Sequence, residues 1–307
     1  MTLILTRQQM LQVWPVLSGR RIDPRLTADG KLGVSEAVLT DPKMSSYAAT
    51  LAAGTTETVT AWSTQTDPVM MVNGKQMTIN SSRRPYSISE PAADVFRFEM
   101  RANDAGTRTD LSNGNRRVEI VSLPGEGYTA GQTLWMSWTT ILGTQHNGMK
   151  LTDDATRFGY VMQVHPINLT RPLAPVVCVN YAQNLVRIMT ASDAEVSESV
   201  AGYGVQKVRW SGAMPAAGVS THFVLAVTFG ESGHLTAWVN GSQVYDASIP
   251  IGFWTNGGIQ GYPQWGVYEK NHNTTEVVYA ANIEWGASSL AARAASPLAV
   301  PDLSPWA

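Results

Sequence analysis

The sequence predicts an all-β fold, a β-jelly roll sandwich with a short N-terminal helical extension, because three observations agree. Apolar residues alternate with polar ones over many short segments, the period of strands with one buried face. Asn-Gly pairs at 73–74 and 240–241 lie between such segments and are typical of two-residue hairpin turns. Roughly a dozen such segments with few helical patterns between them favour a sandwich or jelly roll.

Residues 1–45 are predicted to form a helical or irregular extension. Thr6 can cap a short helix, with Gln9 at the capping-box position three residues later. Pro15 discourages continuation of that helix. The Pro, Gly and Asp residues that follow interrupt any longer element, so no second regular helix is expected before the strands begin.

Residues 46–287 are predicted to form the jelly-roll domain, since the period changes to two at about residue 46. Beyond this domain, Ala, Ser and Pro dominate, and residues 288–307 are predicted to be a C-terminal tail with one helical turn at 290–294. The residues predicted to face the core alternate along four strands: Phe96, Phe98, Met100, Leu134, Met136, Trp138, Phe223, Leu225, Val227, Phe229, Leu235, Ala237 and Val239.

Composition limits the function classes. Of 307 residues, 44% are hydrophobic and 15% charged, a globular composition, and the net charge of −2 lacks the basic surplus of a nucleic-acid binder. A local basic cleft for a polyanion stays compatible with this balance. The single cysteine, Cys178, lies in an apolar run and is predicted to be a small buried hydrophobe.

Targeting signals are not recognised in the chain. The apolar start, residues 1–5, is too short for the core of a signal peptide, and no apolar stretch reaches the length of a membrane span. We therefore expect no membrane partner. The compartment stays open, with extracellular or phage-associated action favoured over cytoplasmic action.

Three strand-like segments, residues 115–120, 160–165 and 262–271, carry polar groups at alternate positions. Residues two apart on a strand share a face. A sheet in which the three segments are neighbours would therefore gather guanidinium, amide, imidazole and phenol groups in one groove. The residues that this argument places in the groove are Arg117, Glu119, Gln163, His165, Tyr262, Gln264, Tyr268 and Lys270.

These side-chain types suit cleavage of a glycosidic bond beside a uronic acid by β-elimination. Donors such as Arg and Gln offset the negative charge that moves onto the substrate carboxylate. A base removes the proton alpha to that carboxylate, and an acid protonates the leaving oxygen. Tyr, with an unperturbed pKa of about 10, would need a nearby cation such as Arg117 to act as a base, whereas His, at about 6.5, would not.

The three segments resemble the motifs of jelly-roll polysaccharide lyases, above all the alginate lyases of polysaccharide lyase family 7. The family pattern is R-(S/T)-E-L-R, then Q-(I/V)-H, then Y-F-K-A-G-(V/I)-Y-N-Q. Here the segments read RVEIV at 117–121, QVH at 163–165 and YPQWGVYEK at 262–270, in the same order. The run 228–246 also resembles the glucuronan and heparin lyase group, which shares the concanavalin-like jelly roll.

The resemblance implies roles for four catalytic residues. Arg117 and Gln163 would hold and neutralise the substrate carboxylate. His165 would be a neutraliser or the base, and Tyr268 the acid, or the base as well for some epimers. Glu119 would brace Arg117. The other residues expected to bind substrate are Tyr262, Gln264, Trp265 and Lys270; for Trp265, packing in the core is the alternative.

The resemblance further implies a lyase acting on an acidic polysaccharide such as alginate or glucuronan, with no required cofactor. No catalytic metal is expected; a structural calcium remains an option by resemblance, without an identified ligand cluster. This chain departs from the family where Gln264 replaces a lysine, Trp265 a small residue, Pro263 an aromatic and Val121 an arginine. These departures bear on the substrate more than on the reaction.

Two other functions stay open. The same fold hosts non-catalytic carbohydrate-binding modules, and the helical head and Ala/Pro-rich tail fit a structural component of a phage or similar particle. Considered without the other motifs, Arg117 and Glu119 would be interpreted as a surface ion pair, and Tyr268 as an aromatic side chain that packs in the core or an interface. The sugar, its epimer, internal or terminal cleavage and the oligomeric state are left open by the sequence.

Overall fold

The computed structural model describes a set of separate stretches, which contain most of the predicted jelly-roll domain. They are residues 3–5, 25–26, 32–34, 69–82, 84, 86–104, 106, 110, 114–123, 126–146, 159–167, 174–195, 206–254, 260–270 and 274–301. Among these residues, no helix is both long enough and apolar enough to cross a bilayer.

The described residues form nineteen strands, a 3-10 turn at Asp193–Glu195 and a short helix. In chain order the strands are β1 Leu3–Leu5, β2 Arg25–Leu26, β3 Leu32–Val34, β4 Val69–Val72, β5 Lys75–Ser81, β6 Ile88–Ala92, β7 Val95–Met100, β8 Asn115–Ser122, β9 Tyr128–Thr129, β10 Thr133–His146, β11 Gly159–Pro166, β12 Val177–Ala182, β13 Leu185–Thr190, β14 Lys207–Ala213, β15 Ser220–Thr228, β16 His234–Val239, β17 Ser242–Ser248, β18 Gln260–Lys270 and β19 Glu276–Gly286. The helix, α1, is Ala292–Ala295.

Two antiparallel sheets make the sandwich, as the alternating pattern predicts. The described strands of one sheet follow the order β14-β13-β12-β11-β18-β8-β5-β4, with β9 also paired to β18. The other sheet has the order β17-β16-β15-β10-β19-β7-β6. We call the first the site sheet and the second the opposite sheet. The prediction of a jelly-roll sandwich is thereby confirmed.

The hydrophobic core lies between the two sheets. The residues that alternate along β7, β10, β15 and β16 are buried there, including Phe98, Trp138 and Leu225. Such burial contributes roughly 1.5–3 kcal/mol for each large side chain. Both Asn-Gly pairs form the predicted hairpin turns, since Asn73 and Asn240 adopt positive φ angles that favour asparagine and glycine.

The ends of the chain add features that the sequence did not predict. Within the extension, β1, β3 and β2 form a small sheet in that order, whereas the helix predicted from Thr6 lies outside the described residues. The described part of the C-terminal tail is docked on the sandwich. Arg293 of α1 donates two hydrogen bonds to Glu284, and Asn282 donates to two backbone carbonyl groups of the tail.

Cys178 is fully buried, as predicted. Gln206 donates a hydrogen bond to its sulfur over 3.2 Å. Burial raises the pKa of the Cys178 thiol well above its usual range, so the thiol stays protonated and unreactive at neutral pH.

One buried ion pair gives the fold a predicted pH dependence. Arg116 of β8 bonds Glu269 of β18, and both side chains are almost completely buried. Burial and the neighbouring Glu276 raise the pKa of Glu269 to about 8 although Arg116 opposes them. The folded pKa therefore exceeds the unfolded one, near 4.3, and the stability present below pH 4 is lost as the pH rises towards 8.

We expect urea unfolding at pH 5, 6, 7 and 8 to show a free energy of unfolding that falls with pH. Glu269→Gln should flatten this slope, because the amide cannot ionise. The exposed Glu231→Gln serves as the control and should follow the wild-type slope. Equal slopes for Glu269→Gln and the wild type would contradict the assignment.

Candidate functional site

The three polar segments are neighbouring strands. They form β8, β11 and β18, and β18 lies between the other two in the site sheet. The register places Tyr268 opposite Arg117, and Gln264 opposite Gln163. The alternation argument is thereby confirmed, since Arg117, Gln163, His165 and Tyr268 all project from the face of the site sheet that points away from the core. We call this the site face.

A bulge in β18 sets this register. Between β11 and β18 the pairing shifts between Tyr160 and Met162. Gly266 has a φ of +144°, and a Cβ atom there would lie 2.2 Å from the Val118 carbonyl oxygen. Only glycine fits this position. The shift also brings Tyr160, which strict alternation would send to the core, beside Tyr268, with ring centroids 6.1 Å apart.

Arg117 is the centre of the polar network on the site face. Its Nε and Nη2 donate to the two carboxylate oxygens of Asp110 over 2.5 and 2.8 Å, and its Nη1 donates to Glu119 over 3.3 Å. Burial alone would lower the pKa of Arg117, but the hydrogen bonds to Asp110 and the charge of Glu119 raise it further above its ordinary value. The guanidinium is thus permanently charged and held on two sides.

Glu119 and Gln163 form a buried pair beneath Arg117. Their exposures are 1% and 0%, and Gln163 Nε2 donates to Glu119 Oε1 over 2.6 Å. Burial raises the pKa of Glu119, against the opposing effects of Arg117 and Gln163. Gln163 Oε1 has no hydrogen-bond partner among the described residues. The amide donor expected to hold a substrate carboxylate is therefore engaged by a carboxylate of the protein itself.

Tyr268 lies directly against Arg117, whose Cζ is 4.0 Å from the centroid of the phenol ring. Asn115 Nδ2 donates to the Tyr268 hydroxyl over 2.6 Å. Burial raises the pKa of Tyr268 to about 12, and the opposing charge of Arg117 does not compensate. The phenol therefore keeps its proton at neutral pH, which suits an acid.

His165 has the complementary properties. Its Nδ1 is 2.8 Å from the Pro166 carbonyl oxygen, which can only accept, so Nδ1 carries the hydrogen and Nε2 carries the lone pair of the neutral ring. Burial lowers the pKa of His165, and the charge of Arg117 adds to this effect. The imidazole is therefore neutral at pH 7, which suits a base.

The site face has two ends. The register places His165 opposite Tyr262, with ring centroids 6.0 Å apart, and Tyr268 opposite Tyr160. Positions 160 and 165 are five residues apart on β11, roughly 16 Å of strand. Arg117, Glu119, Gln163 and Tyr268 form one contact network, whereas His165 lies beyond it.

The remaining expected substrate-binding residues have different positions. Half-buried Tyr262 and buried Gln264 lie on the site face. Lys270 ends β18 opposite Asn115, and its side chain lies outside the described residues. The prediction that Trp265 binds substrate is wrong. Trp265 follows Gln264 on β18, so its side chain points to the opposite face and into the core, where it is fully buried against Trp138 and Trp285.

Sequence reasoning missed two residues of the network, Asp110 and Asn115. Asn115 is two positions before Arg117, so the alternation that placed Glu119 could have placed it as well. Asp110 lies outside β8, and no periodic signal could have indicated its bidentate contact with Arg117.

Metal binding finds no support in the described residues, since none of their His, Cys, Asp and Glu side chains form a group of three or more that could hold an ion. A structural calcium stays a prediction.

Comparisons with known proteins give matches among solved structures alone. No protein-family model matches the chain, and no curated protein matches it. An alginate lyase from Pseudomonas aeruginosa is 19% identical, with 67% of this chain and 88% of that chain covered and a TM-score of 0.45. An endo-β-1,4-glucuronan lyase from the fungus Trichoderma reesei is 11% identical, with 72% and 90% covered and a TM-score of 0.47. An alginate lyase solved with dimannuronate is 15% identical, with 64% and 75% covered and a TM-score of 0.46.

Proposed function

We propose that this protein is a polysaccharide lyase that cleaves a uronic-acid-containing polymer by β-elimination. The observation that carries the proposal is the shared site face, on which a permanently charged guanidinium, a protonated phenol and a neutral imidazole lie on three adjacent strands. Environments that push the pKa values of two titratable groups apart are the usual arrangement of an acid and a base. Here those two groups are Tyr268 and His165.

The reaction follows from these assignments. His165 Nε2 removes the proton alpha to the uronate carboxylate, and the electron pair forms a carbon–carbon double bond as the glycosidic C–O bond breaks. Tyr268 donates its proton to the leaving oxygen, and Asn115 Nδ2 stabilises the phenolate that remains. Arg117 lies near enough to both groups to affect the pKa of each, so the proposal puts the uronate carboxylate beside Arg117, between His165 and Tyr268.

The charge on the site face depends on Glu119. When Glu119 is ionised, Asp110 and Glu119 together outweigh Arg117, and a polyanion is repelled. Burial raises the pKa of Glu119, and a protonated Glu119 would leave Asp110 and Arg117 to balance each other. The proposal therefore requires Glu119 to be neutral in the substrate complex, so that the positive charge of Arg117 can attract the substrate carboxylate.

The test is an ultraviolet assay, because the unsaturated uronate product absorbs where the substrate does not. We expect absorbance to rise, with shortening of the chain, for at least one of alginate, glucuronan or a glycosaminoglycan. His165→Ala should lower kcat by about 10²–10⁴-fold if its imidazole is the base. If His165→Ala instead raises KM and leaves kcat unchanged, then Tyr268 and not His165 is the base. No product from any polymer would refute the lyase proposal.

A carbohydrate-binding module is the second candidate, and one observation favours it. In this structure the donors of Arg117 and Gln163 are engaged by Asp110 and Glu119, so that a substrate carboxylate must compete with protein carboxylates. This candidate predicts saturable binding of a polysaccharide without new absorbance or shorter chains. Tyr268→Phe would then leave the affinity for the polysaccharide within about threefold of the wild-type value, because contacts around the centre of a binding site contribute little to the binding free energy.

A further inference from the structure

Two tryptophans form a pair on the outer face of the opposite sheet, away from the site face. Trp135 of β10 and Trp238 of β16 lie on the two strands that flank β15. Their rings are nearly parallel, with centroids 6.1 Å apart and planes inclined by 17°. Both are half-buried, whereas the tryptophans of the core are buried. On β15, Ala226 is opposite Trp135 and Val224 is opposite Trp238, so two smaller side chains lie between the indoles on this face.

A rim of hydrogen-bonding groups adjoins this pair. Asp246 of the neighbouring strand β17 accepts hydrogen bonds from Thr236 and Gln243, both over 3.2 Å, and lies 2.7 Å from a ring nitrogen of His234. Gln243 is directly opposite Trp238 in the register. Three side chains thus fix Asp246 in place although it is exposed. We call Trp135, Trp238, Thr236, Gln243 and Asp246 the outer platform.

A cavity of about 740 Å³ lies farther along the same face of the opposite sheet, lined by other residues of β10, β15 and β17. Trp135 and the cavity residue Thr139 are four residues apart on β10, roughly 13 Å. The docked C-terminal segment forms the far wall, and the Glu284–Arg293 ion pair holds this segment to the sheet. Polar side chains contribute much of the remaining lining: Thr139, Ser220, His222, Asn240 and Ser242.

We propose that the outer platform and the adjoining cavity bind an uncharged polysaccharide chain. Indole rings offer flat apolar faces to the C–H faces of pyranose rings, and their polar neighbours can bond the hydroxyl groups at the ring edges. The only formally charged member of the platform is Asp246, which repels a polyanion and leaves a neutral sugar unaffected.

Electrophoresis in native gels that contain a soluble polysaccharide tests the proposal directly. The probes are galactomannan, xyloglucan and hydroxyethylcellulose as neutral polymers, with alginate as the acidic one. We expect retardation by at least one neutral polymer. Trp135→Ala and Trp238→Ala should each weaken this binding at least about tenfold, as truncation of a central aromatic contact does. Tyr268→Phe should leave it unchanged, which separates this outcome from failure of the lyase proposal.

Two further variants keep the test independent of folding. Gln243→Ala removes an exposed rim donor that the core does not need, and should weaken binding severalfold. Val208→Ala, an exposed position on the site sheet, is the matched control and should bind like the wild type. Absence of retardation by every neutral polymer would overturn the proposal. So would a dimer in light scattering that Trp238→Ala converts to monomers, because the platform would then be covered by a second copy of the chain.

Discussion

Replacement of Tyr268 by phenylalanine is expected to lower kcat on the cleaved polymer by about 10²–10⁴-fold, the usual loss when a general acid is removed. The substitution keeps the ring that Arg117 contacts and removes the hydroxyl alone. Because burial raises the pKa of Tyr268 to about 12, the wild-type phenol should keep its proton throughout the neutral range. The initial rate at which ultraviolet absorbance increases at saturating substrate measures this loss in kcat.

Tyr245→Phe is the matched control for this variant. Tyr245 is a half-buried tyrosine of β17 that packs against the core of the opposite sheet, away from the site face. Its replacement should leave kcat within about threefold of the wild-type value, as expected for a substitution away from the site. A Tyr268→Phe protein with kcat close to that of Tyr245→Phe would show that Tyr268 is not the acid.

Replacement of Arg117 should separate charge from geometry. Lysine keeps a positive charge but lacks the planar fork that bonds both oxygens of Asp110 together with Glu119. We expect Arg117→Lys to fold and to lose at least about 100-fold in kcat/KM, the size of loss seen when one stabilising donor is misplaced. Steady-state kinetics and circular dichroism of the same preparations measure both properties.

Arg117→Ala should instead affect the fold. It leaves the buried carboxylate of Asp110 without its cation, and the removal of one partner from a buried ion pair costs about 3–5 kcal/mol. Arg187→Lys is the control, since Arg187 lies on the same face of the site sheet but bonds the side chain of Gln183. Wild-type kcat/KM in Arg117→Lys would refute a role for Arg117 in catalysis.

Much of the candidate site could be predicted because strand alternation is a local property. It correctly placed Arg117 with Glu119, and Gln163 with His165, on common faces. The same rule, applied strictly, sends Trp265 to the core, so the expectation that its ring stacks on a sugar is wrong. Asp110 could not be placed, because it lies outside the strands and its contact with Arg117 follows no sequence period.

The sequence by itself determined the strand period, the two Asn-Gly hairpins and the faces that Arg117 shares with Glu119 and Gln163 with His165, because these depend on neighbours within a few residues. The tertiary structure alone decided that β18 lies between β8 and β11, that a bulge brings Tyr160 to Tyr268, and that Trp135 meets Trp238 across β15. Strand order and register depend on pairing between distant segments. Tyr268 and His165 become buried only when those strands have paired. The opposite shifts in their pKa values depend on that burial.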